Sequence, residues 1–249
     1  LPPLREGPGE RRGSFPVTDR ARDLAQGLGL AEAITYAFVP EEVELSFQAS
    51  PLVARGELVR LGNPLSARMA VMRRTLWSGL VEAAASNLRR GAERVQLFEV
   101  GRVFFAREGK VQEEERLAVV LFGEVGAWDR RRPVDFLDLK GLAEALAEGL
   151  GLTPCTFAPL ADPFASGCGA VMQRDGKAVG VLGKLSEKAQ ALYDAPRPLW
   201  ALELVLDVAA APAPPKFQEL SRFPAVVADL TVRHPLSLPY GTLVSTLWS

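Results

Sequence analysis

The sequence predicts an α+β fold, a sheet of short antiparallel strands flanked by helices, and three observations predict it. Leu76, Leu80, Ala84 and Leu88 recur at every fourth position, which stacks them along one stripe of a helix. Val95, Leu97, Val103 and Phe105 alternate with Phe98, Val100 and Phe104, so a strand here is apolar on both faces and buried on both. Asp175-Gly176 separates two strand-like runs, and this residue pair tolerates the positive backbone angles of a two-residue hairpin turn.

Taken in order, residues 1–14 (LPPLREGPGERRGS) are rich in proline, glycine and charge and read as a linker from an upstream domain. Thr18 offers an N-cap to a helix carrying Ala21, Leu24, Ala25 and Leu28, which ends near Gly29. Ile34, Tyr36 and Phe38 alternate with Thr35 and Ala37 as a short strand, and Pro40 with two glutamates opens a short helix to about Phe47. Residues 59–61 read as a further strand, Pro64 marks a turn, and the helix of the first stripe spans about 72–90 with Gly91 at its C-cap. After the doubly apolar strand, 107–116 reads as a polar connection and 117–123 (LAVVLFG) as an interior strand. Phe136, Leu139, Ala143, Leu146 and Leu150 mark a second helix, DFLDLKGLAEALAEGLGL. The Asp175-Gly176 hairpin follows, Ser186 caps a short helix, and 199–207 (LWALELVLD) alternates as the last strand of this domain. Residues 208–215 (VAAAPAPP) carry no buried pattern. Beyond them Val226, Val227, Leu230 and Val232 predict a strand to about Arg233, and Pro239 sits near a helix start, the opening of a small second domain that continues past Ser249. The predicted division is a linker at 1–14, a main module at 15–208, a linker at 209–216 and the start of a second domain at 217–249.

With 249 residues and 48% hydrophobic content, the chain can bury a sizeable core. A formal charge of -1 gives no global polycation for nucleic acid, although nine basic and four acidic residues between Arg68 and Lys110 make a local basic excess. Cys155 and Cys168 form no CxxC pair and there is one histidine, which argues against a zinc site and a disulfide scaffold. The chain shows no secretory signal pattern and no apolar run of membrane-spanning length, so a cytoplasmic setting without membrane contact is expected.

Candidate chemistry is sparse. Asp135, Asp138 and Lys140 resemble an acid/base group, but two carboxylates three apart at a helix N-terminus serve the helix dipole. His234 stands alone beside Pro235. The glycines of GKAVGVLGK lack phosphate-loop spacing, and their alternating valines fit a strand. Ser66, Ser78 and Ser166 have no base nearby in sequence.

Several separated strings carry more. NPLS, VMRRTLWSGL, NLRRG, LFEVGRVF, DFLDLKG, DGKAVGVLGKL and WALELVLD, in this order and spacing, resemble the catalytic-like module of the bacterial phenylalanyl-tRNA synthetase beta subunit over residues 15 to about 208. FQELSRFPAVVADLTV resembles the opening of the ferredoxin-like anticodon-binding domain that follows in that family. The resemblance implies a class II aminoacyl-tRNA synthetase-like antiparallel sheet flanked by helices, followed by the start of a ferredoxin-like domain. In catalytic class II domains an arginine of the second family motif holds the ATP α-phosphate. Aligned on Gly101-Arg102-Val103, this chain places Phe105 at that position, and a phenyl ring neutralises no phosphate. Near the second-domain strand, Val227 and Ala228 replace the family's basic pair and Asp229 is retained, which puts phosphate contacts there in doubt.

The resemblance therefore implies a segment with no catalytic, cofactor or metal-binding residues of its own. By the same resemblance it would belong to a holoenzyme of two alpha and two beta chains that uses ATP and Mg2+ in the alpha subunit to attach phenylalanine to tRNA(Phe). The editing site and magnesium ligands of the family's beta chain lie upstream of this segment. The expected role is support of the alpha subunit, with Arg73, Arg74 and Trp77 as candidate interface residues. Trp77 stands one position beyond the core stripe and would contribute apolar area there, and the arginines would form specific pairs. Two alternatives stay open: an active class II ligase domain, and a free-standing tRNA-binding protein with a synthetase-like fold.

Overall fold

The structure, a computed structural model, describes residues 17–126, 131–209, 227–235, 237–238 and 240–247. The chain divides into two compact units, Leu1–Ala213 and Pro214–Ser249.

The first unit opens on α1 (Val17–Gly27), which buries Ala21 and Ala25. This helix stops before Leu28, which is exposed rather than part of the buried stripe. β1 (Ala31–Glu32) and β2 (Phe38–Val39) are short, and α2 (Glu41–Leu45) starts after Pro40, whose fixed backbone angle suits the position before a first turn. A 3-10 turn (Ala67–Met69) leads to β3 (Val71–Met72), which pairs with β2. Residues 59–61 form no strand: Arg60 makes an isolated antiparallel bridge to Val71. α3 (Trp77–Arg89) buries Leu80, Ala84 and Leu88 as the spacing predicts, together with Trp77, Val81 and Ala85. It begins at Trp77 and not near residue 72, because Val71 and Met72 are taken by β3. Gly91 beyond it has φ +90, where a residue with a Cβ is strained.

β4 (Val95–Arg107) and β5 (Lys110–Phe122) form a long hairpin paired without a break from Val95↔Phe122 to Arg107↔Lys110. The polar stretch expected as a connection is thus the first half of β5. Its charged residues project from a strand that extends past the apolar core, and the turn itself is only Glu108-Gly109, both at positive φ. β6 (Glu124–Val125) and β7 (Arg132–Pro133) are a small pair before α4 (Phe136–Gly149). β8 (Thr156–Pro159), β9 (Phe164–Arg174) and β10 (Lys177–Leu185) follow, with the predicted Asp175-Gly176 turn at positive φ. Ser186 Oγ accepts from Ala189 N and caps α5 (Glu187–Gln190), and β11 (Trp200–Val205) ends the module.

Seven strands form one sheet in the order β1-β4-β5-β11-β10-β9-β8. The pairs are antiparallel except at the edge, where β1 runs parallel to β4, so the sheet is mixed there and not purely antiparallel as expected. β11, last along this unit, is inserted at the centre between β5 and β10. Its residues are buried on both faces, so it carries no polar side despite the alternation in its sequence.

Each face of the sheet has its own core. On one, α3 and the loop carrying Phe47, Leu52 and Val53 pack on Val95, Val103, Ala118, Val120, Ala201 and Val205. On the other, α1 and α4 cover Phe98, Val100, Leu117, Val119, Leu202 and Leu204. The odd and even residues of β4 therefore serve opposite cores.

In the second unit, residues 227–235 form no strand, and Val227 and Leu230 are exposed, contrary to the predicted strand there. α6 (Tyr240–Leu247) starts just after Pro239 as expected. The 1–14 linker, most of the 209–216 linker and the FQELSRFP string lie outside the described residues.

Candidate functional site

Residues 33–37 run on from β1 along the edge of the sheet and are tied down at every second position. Ala33 N donates to Phe98 O at 2.7 Å, Thr35 Oγ1 to Glu99 Oε2 at 2.7 Å, and Arg73 N to Ala37 O at 2.9 Å. Of the short strand expected over 34–38 only Phe38 lies in a strand, at the start of β2. Before it the small residues face inward, while Ile34 and Tyr36 are 90% and 75% exposed and Phe38 is also exposed. The cause is close approach of α3: a Cβ on Gly79 would lie 2.0 Å from Thr35 Oγ1, leaving no room on this side for a large residue. Leu65, 93% exposed, precedes the 3-10 turn that packs beside β2. Large apolar side chains exposed along one edge mark an interaction surface, since no internal packing explains them.

Beneath this strip lies a buried ionic network at the start of α3. Arg73 donates from Nη1 to Glu99 Oε1 at 2.7 Å and Thr35 Oγ1 at 3.0 Å, and from Nε to Arg102 O at 3.0 Å. Glu203 accepts from Leu76 N at 2.8 Å, from Thr75 Oγ1 at 3.0 Å, and from Arg116 Nη1 at 3.2 Å. Arg116 also donates to Arg74 O and Leu52 O, both at 2.9 Å. Glu44 accepts from Arg74 N at 2.9 Å and Ser78 Oγ at 2.7 Å. Two carboxylates thus meet the first turn of α3, where the helix dipole favours negative charge.

The electrostatics follow from burial. Burial pushes the Glu44 carboxyl up to about 7, against the opposing pull of Ser78 and Arg74. The Arg74 guanidinium gives little relief: its Nε lies 3.6 Å from Glu44, and Nε and Nη2 make no hydrogen bond. Burial also raises Glu203, with Arg116 pulling the other way. These carboxylates are sealed from solvent and engaged by internal donors, so they hold β11, β5, α2 and α3 together rather than meet a substrate.

The structure places the three predicted interface residues, Arg73, Arg74 and Trp77, inside this module. Trp77 is 0% exposed, meets the Phe47 ring at a tilt and the Phe164 ring edge-on at centroid distances of 5.7 and 5.6 Å, and donates from Nε1 to Leu202 O at 3.0 Å. No area of its ring is left for a partner to cover. Arg73 and Arg74 are buried as well, their pairs made within the chain. Arg73 nevertheless reaches the exposed strip directly, through Thr35 and Ala37.

Other candidates resolve structurally. Asp135 caps α4 and forms a reciprocal capping box with Asp138, and the Arg132 guanidinium holds the Asp138 carboxyl below its ordinary range. Lys140 lies over the Phe157 ring at 4.8 Å and pairs with Glu144. Of the glycines of GKAVGVLGK, Gly176 is in the hairpin turn and Gly180 and Gly183 lie on β10. Ser78 is buried against Glu44, Ser66 and Ser166 are exposed, and His234 is exposed with its Nδ1 2.8 Å from Pro235 O.

Phe105 is buried against Gly56 and lines an open cleft of about 800 Å³ with Arg55, Arg107, Glu114, Arg174 and Lys177. As a test of fit for ATP, its ring offers no donor where the catalytic arginine would stand. Glu114 in the same cleft is already paired with Arg55 at 2.6 Å and Arg116 at 2.8 Å. Among the described residues, no three His, Cys, Asp or Glu side chains are grouped to hold a metal ion. Among the described residues, those lining this cleft do not fit an ATP–Mg2+ site.

Sequence reasoning missed Glu44, Glu99, Arg116, Glu203 and Thr35. Glu99 and Glu203 had a signal: each interrupts an otherwise apolar strand, LFEVG and LELV, where a carboxylate must be paired to be buried. Glu44 and Thr35 had none.

Comparison with known proteins adds three findings. The family model described as "Phenylalanyl tRNA synthetase beta chain CLM domain" matches residues 1–206. Phenylalanine–tRNA ligase beta subunits from Pseudomonas putida and Hahella chejuensis are 39% and 35% identical over 232 and 216 residues, covering 91% and 86% of this chain. The chain spans 28% and 27% of the length of these relatives. Among solved structures, a pyrrolysyl-tRNA synthetase from Desulfitobacterium hafniense superposes with a TM-score of 0.58 at 12% identity, over 77% of this chain and 65% of that one. That likeness shows a class II synthetase fold.

Proposed function

The chain belongs to the family of phenylalanyl-tRNA synthetase beta-chain CLM domains, and from that premise we propose that it is a non-catalytic synthetase-like module that supports the catalytic alpha subunit. In this reading the holoenzyme, two alpha and two beta chains in the cytoplasm, attaches phenylalanine to tRNA(Phe) with ATP and Mg2+ bound in the alpha subunit. The module at 15–208 and the opening of the anticodon-binding domain at 217–249, joined by the 209–216 linker, form part of the beta chain.

One observation carries the proposal: the exposed strip Ile34, Tyr36 and Phe38 is clamped from within by Arg73, Glu99 and Thr35. A surface of large apolar side chains on a rigid, ion-paired base is built for a protein partner. Phe105 supports the same reading by removing the phosphate contact of catalytic relatives. Arg73, Arg74 and Trp77 then contribute to the interface from beneath, by fixing the start of α3 and the strip above it.

Size-exclusion chromatography of the complete polypeptide with the alpha subunit tests this. Co-elution as one assembly is expected, together with aminoacylation that survives Phe105→Leu. A polypeptide that stays apart from excess alpha subunit would falsify the reading.

A further inference from the structure

The cleft beside Phe105 is not needed for a scaffold, and its lining points elsewhere. Four cations converge on it from three elements: Arg55 from the loop after α2, Arg107 from the end of β4, and Arg174 with Lys177 from the β9–β10 hairpin. Two carboxylates, Glu114 and Asp175, are present, so the lining has an excess of positive charge in a chain whose formal charge is -1. Arg55 is spent on Glu114 and on Ala178 O, and Arg174 donates to Gly151 O at 3.0 Å. Arg107 and Lys177 are different. Both are exposed, and neither makes a side-chain hydrogen bond or ion pair among the described residues. The same cleft is also lined by the apolar residues Phe105, Ala178, Val179 and Val208.

Two free cations and a set of apolar residues lining one cleft open to solvent suit the paired phosphate and base or sugar contacts that a nucleic-acid strand offers. An acidic peptide would leave the apolar residues without a regular counterpart. We propose that this cleft binds a phosphodiester segment of RNA, with Arg107 and Lys177 each facing a phosphate. The inference rests on the ligase reading, in which tRNA is the RNA at hand.

Fluorescence-anisotropy titration of tRNA(Phe) onto the complete polypeptide paired with its alpha subunit tests it, over a series of salt concentrations. The variants are Arg107→Gln, Lys177→Gln, the double variant, and Lys188→Gln as a control for an exposed charge outside the cleft lining. The double variant is expected to bind about tenfold more weakly and to flatten the slope of log affinity against log salt by about 1.4, each single variant by about half that, with the control unchanged. Unchanged affinity and slope in the double variant would overturn the assignment. Co-elution is followed on the same samples. An assembly that forms while the double variant binds tRNA like the wild type overturns the cleft assignment alone, whereas a wild type that does not co-elute overturns the ligase reading itself.

Discussion

Glu44 is held as an acid that prefers its proton: burial raises its carboxyl from an ordinary 4.5 to about 7. The folded chain therefore binds this proton more tightly than the unfolded chain. The stability gained from the protonated form is fully present below pH 4.5 and is lost as pH rises to about 7, amounting to about 3 kcal/mol. Glu44→Gln keeps a neutral group that still accepts from Arg74 N. Its stability relative to wild type is expected to rise by about that amount between pH 4.5 and 8 in urea unfolding, and parallel pH profiles would count against the assignment. Arg116 and Glu203 give the complementary case, a pair with both side chains fully buried. Arg116→Met strands Glu203 without its cation and is expected to cost about 3–5 kcal/mol. A loss below about 1 kcal/mol in the same assay would mean that Thr75 and Leu76 N alone satisfy Glu203.

Among the elements, α3 was the most legible in the sequence and also the most misleading. Its stripe at every fourth residue located the helix, but the stripe says nothing about what meets the other sides. Trp77, one position off the stripe, faces Phe47 and Phe164 because the loop after α2 folds over it, a contact between segments that no local period encodes. Gly79 shows the same limit. It reads as a weak helix residue, yet it is the point where Thr35 docks. Gly79→Ala should gain about 1 kcal/mol of helix propensity and still destabilise, because the new Cβ displaces Thr35. Faster amide exchange at Ala33 and Thr35 is expected, and unchanged exchange would show that the strip is held independently of α3. α4 was legible almost to the residue, since a capping box is a local device. Asp135→Ala is expected to cost about 1 kcal/mol of thermal stability. The β4–β5 hairpin was half legible: apolar alternation marked the buried ends, and the charged middle read as loop because strands extending into solvent lose their hydrophobic signature.

At the scale of the molecule, the central position of β11 explains why the module behaves as one body. The strand last in sequence joins the β4–β5 hairpin to the β8–β10 half of the sheet, and its Glu203 ties both to α3. Neither the strand order nor the parallel edge pair could be read from the sequence, since pairing partners are chosen by packing over long separations. The outward turn of Ile34 and Tyr36 has the same origin: alternation predicts two faces but not which one meets water. In the proposed function, a synthetase fold with a rigid interior presents Ile34, Tyr36 and Phe38 to a partner. The most direct test is the double variant Ile34→Ser/Tyr36→Ser, assayed for affinity to the alpha subunit and for thermal unfolding. Because both side chains are exposed, the melting temperature should stay within about a degree or two of wild type, while affinity falls by about thirtyfold or more, the loss of ~2 kcal/mol at an interface hot spot. Unchanged affinity with unchanged melting would contradict the account.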